Sequence, residues 1–215
     1  MKKGIVFILL FMGMVIFASG TQDENEYYNG YGMMGSGSSM MGGYSNYQGD
    51  GERLDMVSVK GLVEEYLDNI KGYDLSIAEI MEFHQNFYIE VAEINSDILF
   101  QELLVDPYSG AIYPEHGPNM MWNPSRSHMM GGYSSRNPKE LTVSETEAIE
   151  YAGEYLKVDL PGTAPEDHAD KFNGYYTIHV LKDDNIIGML SVNGYSGQVW
   201  YHNWHGEFLG MKEID

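Results

Sequence analysis

Apolar positions change their period twice along this chain. Between Leu54 and Ile70, the residues Met56, Val59, Leu62, Val63, Tyr66, Leu67 and Ile70 recur at three- and four-residue spacing. Glu64, Glu65 and Asp68 take the other side, and this predicts an amphipathic helix. Leu75 to Phe83 places Ser76 and Glu79 as a capping box, which predicts a second, short helix. The period then falls to two, predicting strands over 87–94, 99–105 and 111–114. The same order recurs later. Ser144 and Glu147 form a capping box ahead of Ala148, Tyr151, Ala152, Tyr155 and Leu156, and 161–170 reads as a loop. Three strands between Tyr176 and Tyr201 follow, separated by Asp183-Asp184-Asn185 and by Asn193-Gly194-Tyr195-Ser196-Gly197. On these strands Tyr176, Ile178, Val180, Leu190, Val192 and Val199 face the helix. Thr177, His179, Trp200 and His202 face outward.

The recurrence is a duplication. Tyr66-Leu67, Phe83, Ile89 and Val91 match Tyr155-Leu156, Phe172, Ile178 and Val180 at an offset of 89. After the first hairpin the offset is 87: Leu103, Val105, Tyr108, Ser109 and Gly110 match Leu190, Val192, Tyr195, Ser196 and Gly197. Hairpin tips tolerate such length changes. The expected fold class is α+β, with two tandem units, 52–117 and 139–211. Each is an amphipathic helix packed on a three-stranded antiparallel sheet. A Met/Pro/Gly-rich linker, 118–138, joins them, and Trp204 to Asp215 reads as a tail.

Ahead of the units, residues 1–20 carry Lys2-Lys3, an apolar run and Ala18-Ser19-Gly20. This is the pattern of a secretory signal peptide or, if uncleaved, of an N-terminal anchor. Either form places the remainder outside the cytoplasm, and the membrane is touched only through this segment, if it is uncleaved. Residues 21–51 are rich in Gly, Ser, Tyr, Asn and Met without apolar period, and are expected to be disordered. The formal charge of −20, from 32 acidic and 12 basic residues, disfavours nucleic acid, whose phosphates need cations opposite them. It favours basic peptides and metal ions. With no cysteine, thiolate sites and cysteine nucleophiles are excluded.

Asp106-Pro107-Tyr108-Ser109-Gly110-Ala111-Ile112 and Asn193-Gly194-Tyr195-Ser196-Gly197-Gln198-Val199 share one pattern: an acidic or amide residue, a turn, Ser-Gly and a short strand. Together with Glu147-Ala148 and Ala152 on the second helix, this resembles the PepSY domain, a small secreted module of helix plus antiparallel strands. The family motif has Thr where both copies have Ser, and Asp where the second has Asn. The resemblance implies a non-catalytic binding or inhibitory module of the cell envelope that engages a peptide or protein partner, either binding peptides or regulating a peptidase in the manner of propeptides. It supplies no catalytic residues.

Two further features bear on chemistry. Met33-Met34 with Met40-Met41, and Met120-Met121 with Met129-Met130, form two copies of a paired-Met motif, and His128 adjoins the second. Thioethers are soft ligands that select Cu(I). The alternative function is therefore a copper-binding envelope protein using Met33, Met34, Met40, Met41, Met120, Met121, His128, Met129 and Met130. The competing reading is a linker whose Met side chains dock on apolar surface. His202 and His205 flank Trp204, close enough to share one metal if the tail curls. His179 and His202 lie two strands apart, about 10 Å, and are not expected in one site. Surface histidines are the expected state. No H-E-x-x-H or G-x-S-x-G occurs, so no hydrolase motif is present.

Overall fold

A computed structural model describes residues 51–124 and 140–214. The N-terminal segment and Met33, Met34, Met40, Met41, His128, Met129 and Met130 lie outside the described residues. The first helix, α1 (Met56–Asp68), starts where Asp55 accepts a 2.8 Å hydrogen bond from the Ser58 amide. It buries Val59, Val63 and Leu67, one turn apart on the stripe that the spacing predicts. Strands β1 (Leu75–Phe83), β2 (Phe87–Glu93), β3 (Leu99–Val105) and β4 (Ile112–Pro114) follow, and then a short helix, α2 (Pro118–Met121).

The second copy begins with α3 (Glu145–Asp159). Its Ser144 and Glu147 complete a reciprocal capping box. Ser144→Ala removes the hydroxyl that accepts from the Glu147 amide. We expect a loss of about 1 kcal/mol, read as a lower thermal midpoint with the fold retained. Strands β5 (Ala164–Pro165), β6 (Asp170–Phe172), β7 (Tyr175–Lys182), β8 (Asn185–Asn193), β9 (Val199–Tyr201) and β10 (Phe208–Glu213) complete the chain.

The expected pair of three-stranded sheets is replaced by one mixed sheet of ten strands, ordered β10-β1-β2-β3-β6-β7-β8-β9, with β4 added on β3 and β5 on β7. The copies join where Leu99 of β3 pairs in parallel with Phe172 of β6; the other pairings are antiparallel. Two further expectations are corrected. Leu75 to Phe83 is a strand, not a helix, because it pairs on both sides, with β2 and with β10. Ladder pairing on two edges and burial of Ile77, Ile80, Met81 and Phe83 outweigh a local capping signal, since propensity is a weak prior. The expected tail supplies β10, which covers the β1 edge from Glu79 to Phe83.

Each copy packs its helix on its own strands. Val59, Val63 and Leu67 meet Ile80, Phe87, Ile89, Val91, Leu103 and Val105. Ala148, Ala152 and Leu156 meet Tyr176, Ile178, Val180, Leu190 and Val192. The opposite face is closed as well. Met81, Phe83, Tyr88 and Leu104 from the first copy are buried with Met189 from the second, and Trp204, Phe208 and Met211 pack against them. Strand β10 also approaches β8. The sheet thus rolls so that the faces turned away from both helices meet.

Candidate functional site

Strand alternation decides what lies inside this roll. With Ile89 and Val91 toward α1, β2 turns Tyr88 and Glu90 inward; with Leu103 and Val105 toward α1, β3 turns Glu102 inward. In the second copy Tyr175, Thr177 and His179 of β7 and Ser191 of β8 take the same side. All are buried, as are Glu115, His202 and His205 in the connections. The histidines expected at the surface are therefore interior: His179 is 5 %, His202 2 % and His205 1 % exposed. They do face away from the helix, but that face is covered by the other copy.

A chain of short polar contacts crosses the chamber. Tyr88 Oη lies 2.9 Å from Glu90 Oε1 and 2.7 Å from Glu102 Oε1. Tyr175 Oη donates to Glu102 Oε2 at 2.7 Å, and Thr177 Oγ1 to Glu102 Oε1 at 2.7 Å. Thr177 Oγ1 is 3.1 Å from Ser191 Oγ, which is 2.9 Å from His202 Nε2. A phenol has one proton, so Tyr88 cannot donate to both carboxyls at once. One of Glu90 and Glu102 must therefore carry a proton and donate back. Electrostatics agree. Burial, followed by the Glu115 charge, raises the Glu102 carboxyl well above its ordinary range. Burial, followed by Asp170 and Glu79, does the same to Glu90.

Beyond Ser191 the network ends on Glu115. His202 Nδ1 is 3.3 Å and His205 Nε2 3.1 Å from Glu115 Oε1. The indole nitrogen of Trp204 donates to the same oxygen at 3.1 Å. Burial works to raise the Glu115 carboxyl, but His202 and then His205 outweigh it and hold the group well below the usual carboxylate range. Burial lowers His205 despite Glu115. Asn119 of α2 closes the chamber from one side. Its amide donates to the Glu102 and Glu115 carbonyls at 3.0 and 3.2 Å, and its Oδ1 accepts from the Glu102 amide at 3.3 Å.

His179 belongs to a different set, as its strand position implies. It lies 2.8 Å from Glu166 Oε2 and 3.5 Å from Glu79 Oε1. Burial works against its charge, yet Glu79 and Glu166 raise its pKa to about 9. Met120 and Met121 lie on α2 and are exposed, so they are not brought into the chamber. Glu115, Glu102, Ser191 and Tyr175 carried no sequence signal, whereas the joint placement of His202 and His205 was legible in H-N-W-H. Among the described residues, Glu115, His202 and His205 are the group whose ligand atoms all lie within 4.8 Å of one another and could hold a metal ion.

No family model matches the chain, and no curated protein matches it. Among solved structures, the Bacillus megaterium YpeB C-terminal domain aligns at 10% identity with a TM-score of 0.24, over 69% of this chain and 62% of that one. The chain thus spans less than two thirds of that structure's length, and a likeness of this size carries no argument about fold or function.

Proposed function

We propose that the chain is an exported, non-catalytic PepSY-like module of the cell envelope that binds extended peptide or protein segments. One observation carries the reading: both copies repeat the family's turn with the same construction and leave its tyrosine outside. Asp106 Oδ1 accepts from the Tyr108 and Ser109 amides at 3.1 and 2.7 Å. Asn193 Oδ1 accepts from the Tyr195 and Ser196 amides at 3.0 Å each. Gly110 and Gly197 close the two turns at φ 62° and 70°, a region that favours glycine. Tyr108 and Tyr195 remain 49% and 40% exposed. A rigid turn presenting an aromatic ring suits recognition, because tyrosine supplies contact area at low entropic cost. The strongly perturbed carboxyls Glu90, Glu102 and Glu115, by contrast, are buried, which supports a non-catalytic role. Among the described residues no helix is long and apolar enough to cross a membrane.

The charge of −20 selects basic partners. The test is fluorescence anisotropy with a panel of unstructured peptides, basic and acidic. Basic peptides should bind in a salt-sensitive manner. Tyr108→Ser with Tyr195→Ser should weaken binding by roughly tenfold, the scale of one aromatic hot spot, at an unchanged melting temperature. Failure of every peptide to bind would end this reading. Metal handling is the second reading, favoured by the convergence of Glu115, His202 and His205. Copper bound by the paired methionines is a separate proposal, and of those residues only Met120 and Met121 fall among the described ones.

A further inference from the structure

We infer that Glu115, His202 and His205 form a closed binding site for a divalent transition ion of the zinc class, at the seam between the two copies. The inference does not depend on the peptide-binding reading.

Glu115 Oε2, His202 Nδ1 and His205 Nε2 are buried, and none makes a hydrogen bond of acceptable geometry. Buried polar atoms are almost always satisfied, and an exception calls for an explanation. Here the two ring nitrogens both lie beside Glu115 Oε1, and the third exception, Oε2, belongs to the same carboxylate.

The surrounding bonds fix which ring nitrogens carry protons. Asn86 Nδ2 donates to the Trp204 carbonyl at 3.2 Å, so its Oδ1 is the atom that faces His205 Nδ1 at 2.8 Å. An acceptor there puts the proton on His205 Nδ1 and leaves Nε2 as a bare lone pair aimed at Glu115. The same logic runs through the hydroxyls. Thr177 gives its proton to Glu102 and accepts from Ser191. Ser191 Oγ is then the acceptor for His202 Nε2–H, and His202 Nδ1 is bare. With both rings neutral, two lone pairs and a carboxylate face one another and repel unless a cation lies between them, either a ring proton, as in the pairing that depresses Glu115, or a metal ion.

This is how metal-ligating histidines are built: one nitrogen on the ion, the other donating to a protein acceptor that sets tautomer and orientation. The spacing fits too. Tetrahedral zinc with ligand bonds near 2 Å requires ligand atoms about 3.3 Å apart. The carboxylate-to-imidazole distances are 3.3 and 3.1 Å. Two imidazoles and one carboxylate are a known zinc set. They supply too few oxygens for calcium and no thioether for Cu(I). Glu115 comes from the first copy, and His202 and His205 follow the last strand of the second. The ion therefore ties together parts of the chain that the linker leaves far apart in sequence.

The test is a titration of tag-free protein recovered from the cell envelope, stripped of metal, with Co²⁺ as a visible reporter and Zn²⁺ as competitor. One equivalent of Co²⁺ should give a d–d absorption band, and Zn²⁺ should abolish it. Glu115→Gln and His205→Gln should each weaken binding by more than about a hundredfold. Ser191→Ala, acting only through His202, should weaken it by roughly 10–100-fold. Changing the eight paired methionines to Leu should leave this band intact, which separates the site from any copper site. ¹⁵N NMR of the unsubstituted protein keeps the test independent of variant folding. Zn²⁺ should shift the imidazole nitrogens of His202 and His205 and leave those of His179 in place. Absence of a one-equivalent band, or unmoved His202 and His205 signals, would overturn the assignment.

Discussion

Gly174→Ala should destabilise the protein by roughly 3 kcal/mol or more, seen as a fall in melting temperature of about 6 °C or more. Gly174 sits in the turn between β6 and β7 at φ +104°. A Cβ there would lie 2.1 Å from the Trp122 carbonyl oxygen and 3.2 Å from Pro124 Cδ. Neither side can yield cheaply. The Trp122 amide donates to the Pro118 carbonyl at 2.7 Å, and Asn123 Nδ2 donates to the Phe100 carbonyl at 3.1 Å. The Gly174 carbonyl itself accepts from the Gly194 amide at 2.9 Å. The substitution therefore pushes the segment after α2 away from the second copy. Gly162→Ala is the control. It has φ +87° but nothing within 4 Å of its Cβ, so only the backbone term of about 1–2 kcal/mol applies. Equal melting temperatures for the two variants would refute the close approach.

Stability should fall as pH rises from about 6.5 to 9, by about 3 kcal/mol from His179 alone. The folded pKa is raised to about 9 from an ordinary 6.5. The folded state then holds a proton that the unfolded chain gives up. The contribution is fully present below pH 6.5 and is lost as pH climbs through the folded value. The proton is held by Glu79 and Glu166, with Asp170 nearby. Glu102 and Glu90, whose carboxyls are also raised, have the same sign and add to the decline from acid pH upward. His179→Gln should remove the His179 component. Melting temperatures of the two proteins across pH 6–9 measure it as the difference in slope, and parallel curves would contradict the ion pair.

The helices and their buried stripes were legible because their causes are local: three- and four-residue spacing in α1, and the Ser144–Glu147 box at α3. The strands after each helix, and the set Tyr176, Ile178, Val180, Leu190 and Val192, followed from a period of two. What escaped was non-local. Strand β10 contains Gly210 and is short. It exists because β1, some 130 residues earlier, presents an open edge. Ser76 and Glu79 imitate a cap on a segment that this pairing turns into a strand.

The chamber was hidden for a different reason. Alternation says which side Thr177, His179 and His202 take, but not whether that side meets water. That depends on the roll of the whole sheet. A clue was present in residue type: the second face carries Tyr88, Leu104, Met189 and Ser191, with few of the lysines that mark a solvated face. Glu115, 87 residues from His202, belongs to no periodic pattern and could be found only once the chain was folded.

The central claim is that the two copies share one interior rather than folding as separate units on a tether. Native-state hydrogen exchange on the amides of Ile89 and Leu103 in the first copy, and of Ile178 and Leu190 in the second, tests it most directly. Regions that open together exchange with one free energy, and regions that open separately do not. A single opening free energy is expected for all four amides, shifted equally in both copies by Gly174→Ala. Two distinct values, with one copy opening while the other stays protected, would contradict it.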